Sequence, residues 1–406
     1  GIVQETGALD TSGRSVTLGF DLQDQFSLTQ PLSLFAVEFL PKLLDKYGED
    51  AEKRGRLKDE AYALDVLSVL EAVLDTPMAV TMAQLNRIKR RAIATMKNEG
   101  VEYNERMLQI EDVEYPKPLE QELESYYEPF RRRHPYVGDE TVKPKSIARE
   151  LYDLGFDFNQ YITYHSLNRS EGAVLRYLTD AYKSLVQNVP DNLKSKAVLD
   201  LEAWLGETIR QVDSSLIDEW EALKDPVAAA TAQDNPAVVA ANAAAAAANA
   251  GNFTSSRAFR IMIRNAVFRW TQLLAAGEEE DMQELAKAPP PRGEDGQDAK
   301  KAWTMDELYE AIDPYWQQHE EIIVSHEARS PDLFTLEDGG GEEEEEVVVG
   351  DSDGDGVSEY WKVTQKIMDP AGDLDWVLEG EVDLAASAEE GRAVVRLVEI
   401  RQEGII

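Results

Sequence analysis

The chain has 406 residues, 43% of them hydrophobic, with 41 Lys and Arg against 78 Asp and Glu and no cysteine. That length and apolar fraction suit two or three domains with buried cores and exclude global disorder. The formal charge of -37 excludes a simple cationic nucleic-acid binder, because such affinity comes from cations that displace counterions from phosphate. Lack of cysteine rules out disulfides, thiolate zinc sites and cysteine nucleophiles, and no apolar run is long enough to span a bilayer, so the chain reads as soluble, cytoplasmic and without a membrane partner.

In chain order, Gly1 to Glu5 reads as a strand in progress, with neither an initiator Met nor a signal peptide, so the chain is expected to begin inside a larger protein. A turn at Gly7 to Gly13 and the alternating Ser15-Val16-Thr17-Leu18 complete a β-hairpin over residues 1–18. Residues 19–225 follow a helical pattern. Leu32, Phe35, Phe39, Leu43 and Leu44 recur at helical spacing, as do Leu64, Leu67, Val69, Leu70, Val73 and Leu74. Further helices are predicted over Thr81 to Asn98, Glu120 to Arg133, Lys145 to Asp153, Asn168 to Val189 and Lys196 to Leu223, the last two a hairpin broken at Pro190-Asp191-Asn192.

Residues 226–252 are mostly Ala and Asn and read as a linker, helical in part or disordered. Beyond it, residues 253–406 predict a small acidic α+β module. It opens with a basic amphipathic helix, Ser255 to Leu274, carrying Arg257, Arg260, Arg264 and Arg269, followed by a short helix from Met305 to Gln318. Strands are predicted over Glu321 to Ser325, Tyr360 to Ile367, Trp376 to Leu384 and Ala393 to Ile400, with a disordered acidic insert at 337–358. The predicted fold is thus a mainly α helical bundle with an N-terminal β-hairpin, followed by an α+β module. Of the net charge, -13 falls on residues 1–225 and -24 on residues 226–406, so the helical region is only moderately acidic.

Chemical motifs are mostly absent. The chain has no G-x-x-x-x-G-K-[ST] phosphate loop, no G-x-G-x-x-G, no G-x-S-x-G elbow and no H-E-x-x-H, so no catalytic residue and no metal ligand is assigned. His134, His165, His319 and His326 are scattered and read as structural or surface residues. Asp351 to Gly356 matches half of a calcium loop, but the twelfth position is Lys362 rather than Glu, which favours an acidic hairpin tip.

Cations instead gather between residues 84 and 149. Arg87, Lys89, Arg90 and Arg91 share a helix with Gln84 and Asn86; Arg131, Arg132 and Arg133 end another; Lys143 and Lys145 follow. Two readings stand side by side: contacts to a phosphate backbone, or a solvated face paired with the abundant carboxylates. Tyr126, Tyr127, Phe130 and Tyr136, then Phe156, Phe158, Tyr161 and Tyr164, have the ring chemistry that stacks on bases, but at helical spacing they read first as core.

Several stretches together resemble a known family. They are Tyr62-Ala-Leu-Asp-Val-Leu-Ser-Val-Leu-Glu71, Gln84-Leu-Asn86, Met96-Lys-Asn-Glu-Gly-Val-Glu-Tyr-Asn-Glu-Arg-Met107 and Tyr115-Pro-Lys-Pro-Leu119, with Arg169-Ser-Glu-Gly-Ala-Val-Leu-Arg-Tyr-Leu178, Arg210-Gln-Val-Asp-Ser-Ser-Leu216, Asp369-Pro-Ala-Gly-Asp373 and Glu381-Val-Asp-Leu-Ala-Ala386. They are similar to the region of unknown function that follows the motor in bacterial DEAD/DEAH-box helicases and, more distantly, to the C-terminal helical domain of superkiller-type RNA helicases. The resemblance implies two motor domains upstream as same-chain partners. It implies ATP and Mg2+ for those domains only, with no cofactor in this chain. It makes residues 1–18 the wing of a winged helix and residues 19–225 a bundle that guides an RNA or DNA strand. On that reading Arg87, Lys89, Arg90, Arg91, Arg131, Arg132, Arg133, Lys143 and Lys145 contact phosphate, and Arg169 and Arg176, seven apart, share a helical face toward the channel. The alternative expectation is an adaptor, whose acidic C-terminal module attracts a basic protein while its basic helix docks on the bundle.

Overall fold

A computed structural model describes residues 9–10, 17–18, 32–48, 56–213, 256–289, 302–325, 328–329, 331–337 and 360–403. The chain divides into two compact units, residues 1–234 and 235–406. Most of the described residues are helical, with one four-stranded antiparallel sheet near the C-terminus. Among them no helix is long and apolar enough to cross a membrane.

The first unit is organised by one helix. After α1 (Ser33–Tyr47) comes α2 (Arg56–Val73), in which every residue from Tyr62 to Val73 is buried. A helix buried on every face must be surrounded by other elements. Around α2 pack α1, α6 (Ala148–Asp153), α8 (Glu171–Asn188) and α9 (Lys196–Asp213). Between them run α3 (Met78–Asn98), α4 (Tyr103–Glu111), α5 (Glu120–Arg133) and α7 (Phe158–Tyr164). Gly206 permits a close approach of α9 to α8: a Cβ there would lie 2.9 Å from the Tyr182 ring.

The polar residues of α2 serve its neighbours. Asp59 accepts a hydrogen bond from the Ala197 amide in the first turn of α9, at 3.1 Å. Asp65 accepts from Tyr47 Oη (2.8 Å), Lys46 Nζ (3.1 Å) and Arg149 (3.1 Å). Glu71, fully buried, accepts from the amides of Ile147 (2.8 Å), Ala148 (2.9 Å) and Arg149 (3.1 Å), where α6 begins, and from Tyr177 Oη (2.8 Å). Those amides have no partner within their own helix, and the helix N-terminus favours negative charge, so the carboxylate both caps α6 and is neutralised by it.

The second unit packs α10 (Arg257–Ala276), α11 (Glu279–Ala286) and α12 (Met305–Trp316) with an antiparallel meander of β3 (Phe334–Glu337), β4 (Tyr360–Lys366), β5 (Trp376–Asp383) and β6 (Val395–Gln402), in that order. A further helix, α13 (Leu384–Glu390), joins the last two strands. Phe259, Ile263, Val267 and Trp270 of α10 meet Val363, Leu378, Val382 and Leu397 of the sheet. At the bulge between Glu379 and Gly380 the Trp270 indole lies so close that a Cβ on Gly380 would be 2.9 Å from it.

Several expectations change. Leu9–Asp10 (β1) pairs antiparallel with Thr17–Leu18 (β2), two residues a side, and the rest of the hairpin expected over residues 1–18, Gly1 to Glu5 included, lies outside the described residues. So do residues 226–252, the insert 338–358 with its half calcium loop, and His326. Glu321 to Ser325 contributes only a single bridge, Ile323 to Met368; the edge strand is Phe334–Glu337. The basic helix does not present a free cationic face throughout: Arg264 is buried, and Arg269 makes a two-pronged contact with Glu284 at 3.1 and 3.2 Å.

Candidate nucleic-acid interface

Over its 21 residues α3 carries Arg87, Lys89, Arg90, Arg91 and Lys97 and not one carboxylate, in a chain with 78. Its first turns are rooted in the bundle by buried Val80, Thr81 and Gln84. Gln84 Nε2 donates to Ser146 O (2.6 Å) and to Glu150 Oε2 (2.5 Å). Tyr161 Oη donates to the same carboxylate oxygen at 2.8 Å, and His165 Nε2 lies 3.1 Å from it. Burial and the adjacent Glu150 charge push the Tyr161 hydroxyl well above its ordinary range, so it remains a donor. Arg87 lies with its guanidinium carbon 3.3 Å from the Tyr164 ring centre and donates to the Tyr164 carbonyl at 3.1 Å.

Past that anchor the helix emerges. Arg90 and Arg91 are exposed and Lys89 is half-buried. On the exposed Arg90 side chain, Nε donates to Asn86 O of its own helix at 3.3 Å. Next to them Ile88, Ala92, Thr95 and Met96, with Gln109 of α4 and Val113 just beyond it, line a groove of about 460 Å³. No residue of α4 is buried, and Tyr103 and Leu108 are largely exposed.

The other predicted cations divide. Arg131, Arg132 and Arg133 are exposed at the C-terminal end of α5, where positive charge complements the helix dipole. Arg133 pairs with the buried carboxylate Glu38, which also accepts from Tyr126 Oη at 2.9 Å, and Arg131 stands 3.9 Å from Asp139. Lys143 is half-buried, 3.4 Å from Asp75. Arg169 and Arg176 are both exposed but do not share a helix: α8 starts at Glu171, leaving Arg169 in the preceding turn. Arg176 neighbours Asp180, whose carboxyl is raised by burial against the pull of Lys183 and Arg176.

Lys145 is corrected outright. It is fully buried and donates to the carbonyls of Leu74 (2.7 Å) and Lys143 (3.0 Å), so a strand outside the bundle does not reach it. Burial lowers its pKa to about 8, although the nearby Glu71 charge opposes that shift; burial likewise raises Glu71, against its four donors. Of the aromatics, Tyr127, Phe130, Phe156, Phe158 and Tyr161 are core and Tyr136 is exposed. The residues that fix α3, namely Gln84, Glu150, Tyr161, Tyr164 and His165, were not grouped by sequence; the only local hint is the Tyr161, Tyr164, His165 spacing at the C-terminal end of α7.

Residues 1–400 match the family described as Domain of unknown function (DUF3516). The chain belongs to the DUF3516 family. No curated protein and no solved structure matches it. What this DUF3516 chain offers a ligand in its first unit is therefore read from α3: a carboxylate-free cationic helix beside an open apolar groove.

Proposed function

We propose that this chain is the non-motor C-terminal part of an ATP-dependent DEAD/DEAH-box helicase of the cytoplasm, guiding an RNA or DNA strand and packing on motor domains of the same polypeptide. The observation that carries the strand contact is α3: five cations and no carboxylate over 21 residues, with Arg90 and Arg91 exposed beyond a buried root. A negatively charged chain repels polyphosphate generally, so a local cationic helix confines contact to one track. Arg132, Arg169 and Arg176 extend the exposed cations, and Arg87 acts as the anchor that orients α3. The resemblance in the stretches from Tyr62 to Leu119 supports the helicase context; ATP and Mg2+ are used by the motor, not by this chain.

The test is anisotropy of labelled single-stranded RNA and DNA with the full chain at several salt concentrations. Binding is expected to be weak and to fall steeply with salt. The double charge reversal R90E/R91E is expected to weaken it about tenfold and to flatten the log–log salt slope by about 1.4, two phosphate contacts' worth. Affinity and slope unchanged by the double reversal sink the assignment.

A further inference from the structure

In the second unit three lone-pair-bearing side chains from distant parts of the chain converge. His319 follows α12, Asp369 opens the loop after β4, and Asp375 closes that loop before β5; one ligand atom of each lies within 4.8 Å of the others. The His319 side chain is only 9% exposed. Its Nε2 is sealed from solvent without a hydrogen-bond partner, and its Nδ1 stands 3.9 Å from Asp369 Oδ1, outside hydrogen-bond range. The ring is held in place by Tyr315, at 4.7 Å between ring centres, and by its own amide, which donates to Tyr315 O at 2.9 Å. Asp375 Oδ2 accepts from Gln402, but Oδ1 is also buried with no partner.

Asp369 is fixed differently. Its two oxygens accept from the amides of Ala371 (2.8 Å), Gly372 (2.7 Å), Asp373 (3.2 Å) and Leu374 (2.9 Å), which lock the loop and fix the carboxylate in place. The trio therefore contains a carboxylate fixed by four backbone amides, a second carboxylate oxygen without a donor, and a buried imidazole nitrogen without a hydrogen-bond partner. Buried polar atoms are ordinarily satisfied. What is missing between these atoms is positive charge rather than another acceptor.

We infer that His319, Asp369 and Asp375 form a binding site for a divalent transition-metal cation. One imidazole nitrogen and two carboxylate oxygens are a donor set suited to Zn2+, Mn2+ or Fe2+, and the absence of thiolate disfavours softer ions. Ligand atoms around tetrahedral zinc stand about 3.4 Å apart, so the observed spacing closes by small side-chain rotations. Three protein ligands leave the remaining positions to water or another ligand. The site closes the loop between β4 and β5 onto the end of α12, and this inference stands independently of the strand contact proposed for α3.

The test uses the full chain, stripped with a chelator and titrated with Co2+ in the presence of excess Mg2+ and salt, which occupy the acidic surface. One equivalent of Co2+ is expected to develop the visible absorption of a low-coordinate nitrogen and oxygen site, displaced by one equivalent of Zn2+. His319→Ala and Asp375→Asn are each expected to weaken binding at least tenfold, while the exposed-residue control Asp139→Asn leaves it unchanged. A spectrum that stays that of the aqueous ion with the wild-type chain overturns the inference. So does binding that persists at wild-type affinity in both variants. Because the wild-type titration decides alone, a variant that fails to fold does not protect the proposal.

Discussion

Helices α2 and α3 follow one another with only Leu74 to Pro77 between them, yet they use charge in opposite ways. In α2, carboxylates at Asp59, Asp65 and Glu71 point into the bundle and take hydrogen bonds from other elements. In α3, the side chains of Arg90 and Arg91 are exposed, and Arg90 Nε bonds only within its own helix, to Asn86 O. A charge inside must be matched by donors in fixed positions and so becomes part of the fold; a charge outside costs the fold little and remains available to a partner. The contrast separates residues that hold the structure from residues that can act.

The sharpest way to break this contrast is Glu71→Ala. It strips the cap from α6, orphans Tyr177 Oη and leaves the Lys145 ammonium without its nearest countercharge, so a loss of about 3–5 kcal/mol in urea unfolding is expected. A loss under about 1 kcal/mol means the carboxylate is incidental.

Next in size is a pH effect. Folded Lys145 gives up its proton near pH 8, whereas the unfolded side chain keeps it to about 10.4. Between those values the unfolded state binds more protons, so the lysine's unfavourable contribution fades as pH rises. The wild-type chain should gain on a Lys145→Met variant by up to about 1.4 kcal/mol per pH unit across pH 8 to 10. A stability difference that is flat over this window contradicts the buried, shifted ammonium.

Arg87→Ala probes the boundary between the two helices' roles. Losing the stack on Tyr164 and the bond to its carbonyl should cost about 1–2 kcal/mol and lower strand affinity indirectly, by freeing α3. Arg87→Lys should restore only part of either, since lysine lacks the flat guanidinium. Smallest on stability is the R90E/R91E pair, whose urea midpoint should stay at the wild-type value while strand binding falls. A shifted midpoint with unchanged binding places these two residues with α2 as structural ones.

Most helices were legible because their apolar stripes are long: Glu120–Arg133 was read to the residue, and Met78–Asn98 and Glu171–Asn188 differ from expectation by three residues at the start. Tyr103–Glu111 was not, because a helix that buries nothing carries no stripe. Phe334–Glu337 is four residues beside a glycine and glutamate run, too short for alternation to register. The cations were legible by type but not by placement. Lys143 and Lys145 flank one proline and look alike in sequence, and only α2, some seventy residues earlier, decides that one is half-buried and the other buried. The His319, Asp369 and Asp375 cluster was not legible, since no local spacing joins residues that the fold alone brings together.

The Glu71 clasp also sets a clock. Amides in the first turn of a helix ordinarily exchange with solvent deuterium quickly, having no partner in their own helix. Those of Ile147 and Ala148 are instead held by a buried side chain from α2, and Glu71 is tied in turn to α8 through Tyr177. They are expected to release their protons only when α6 parts from α2, so two amides at the start of a six-residue helix report the opening of a buried contact in the bundle core.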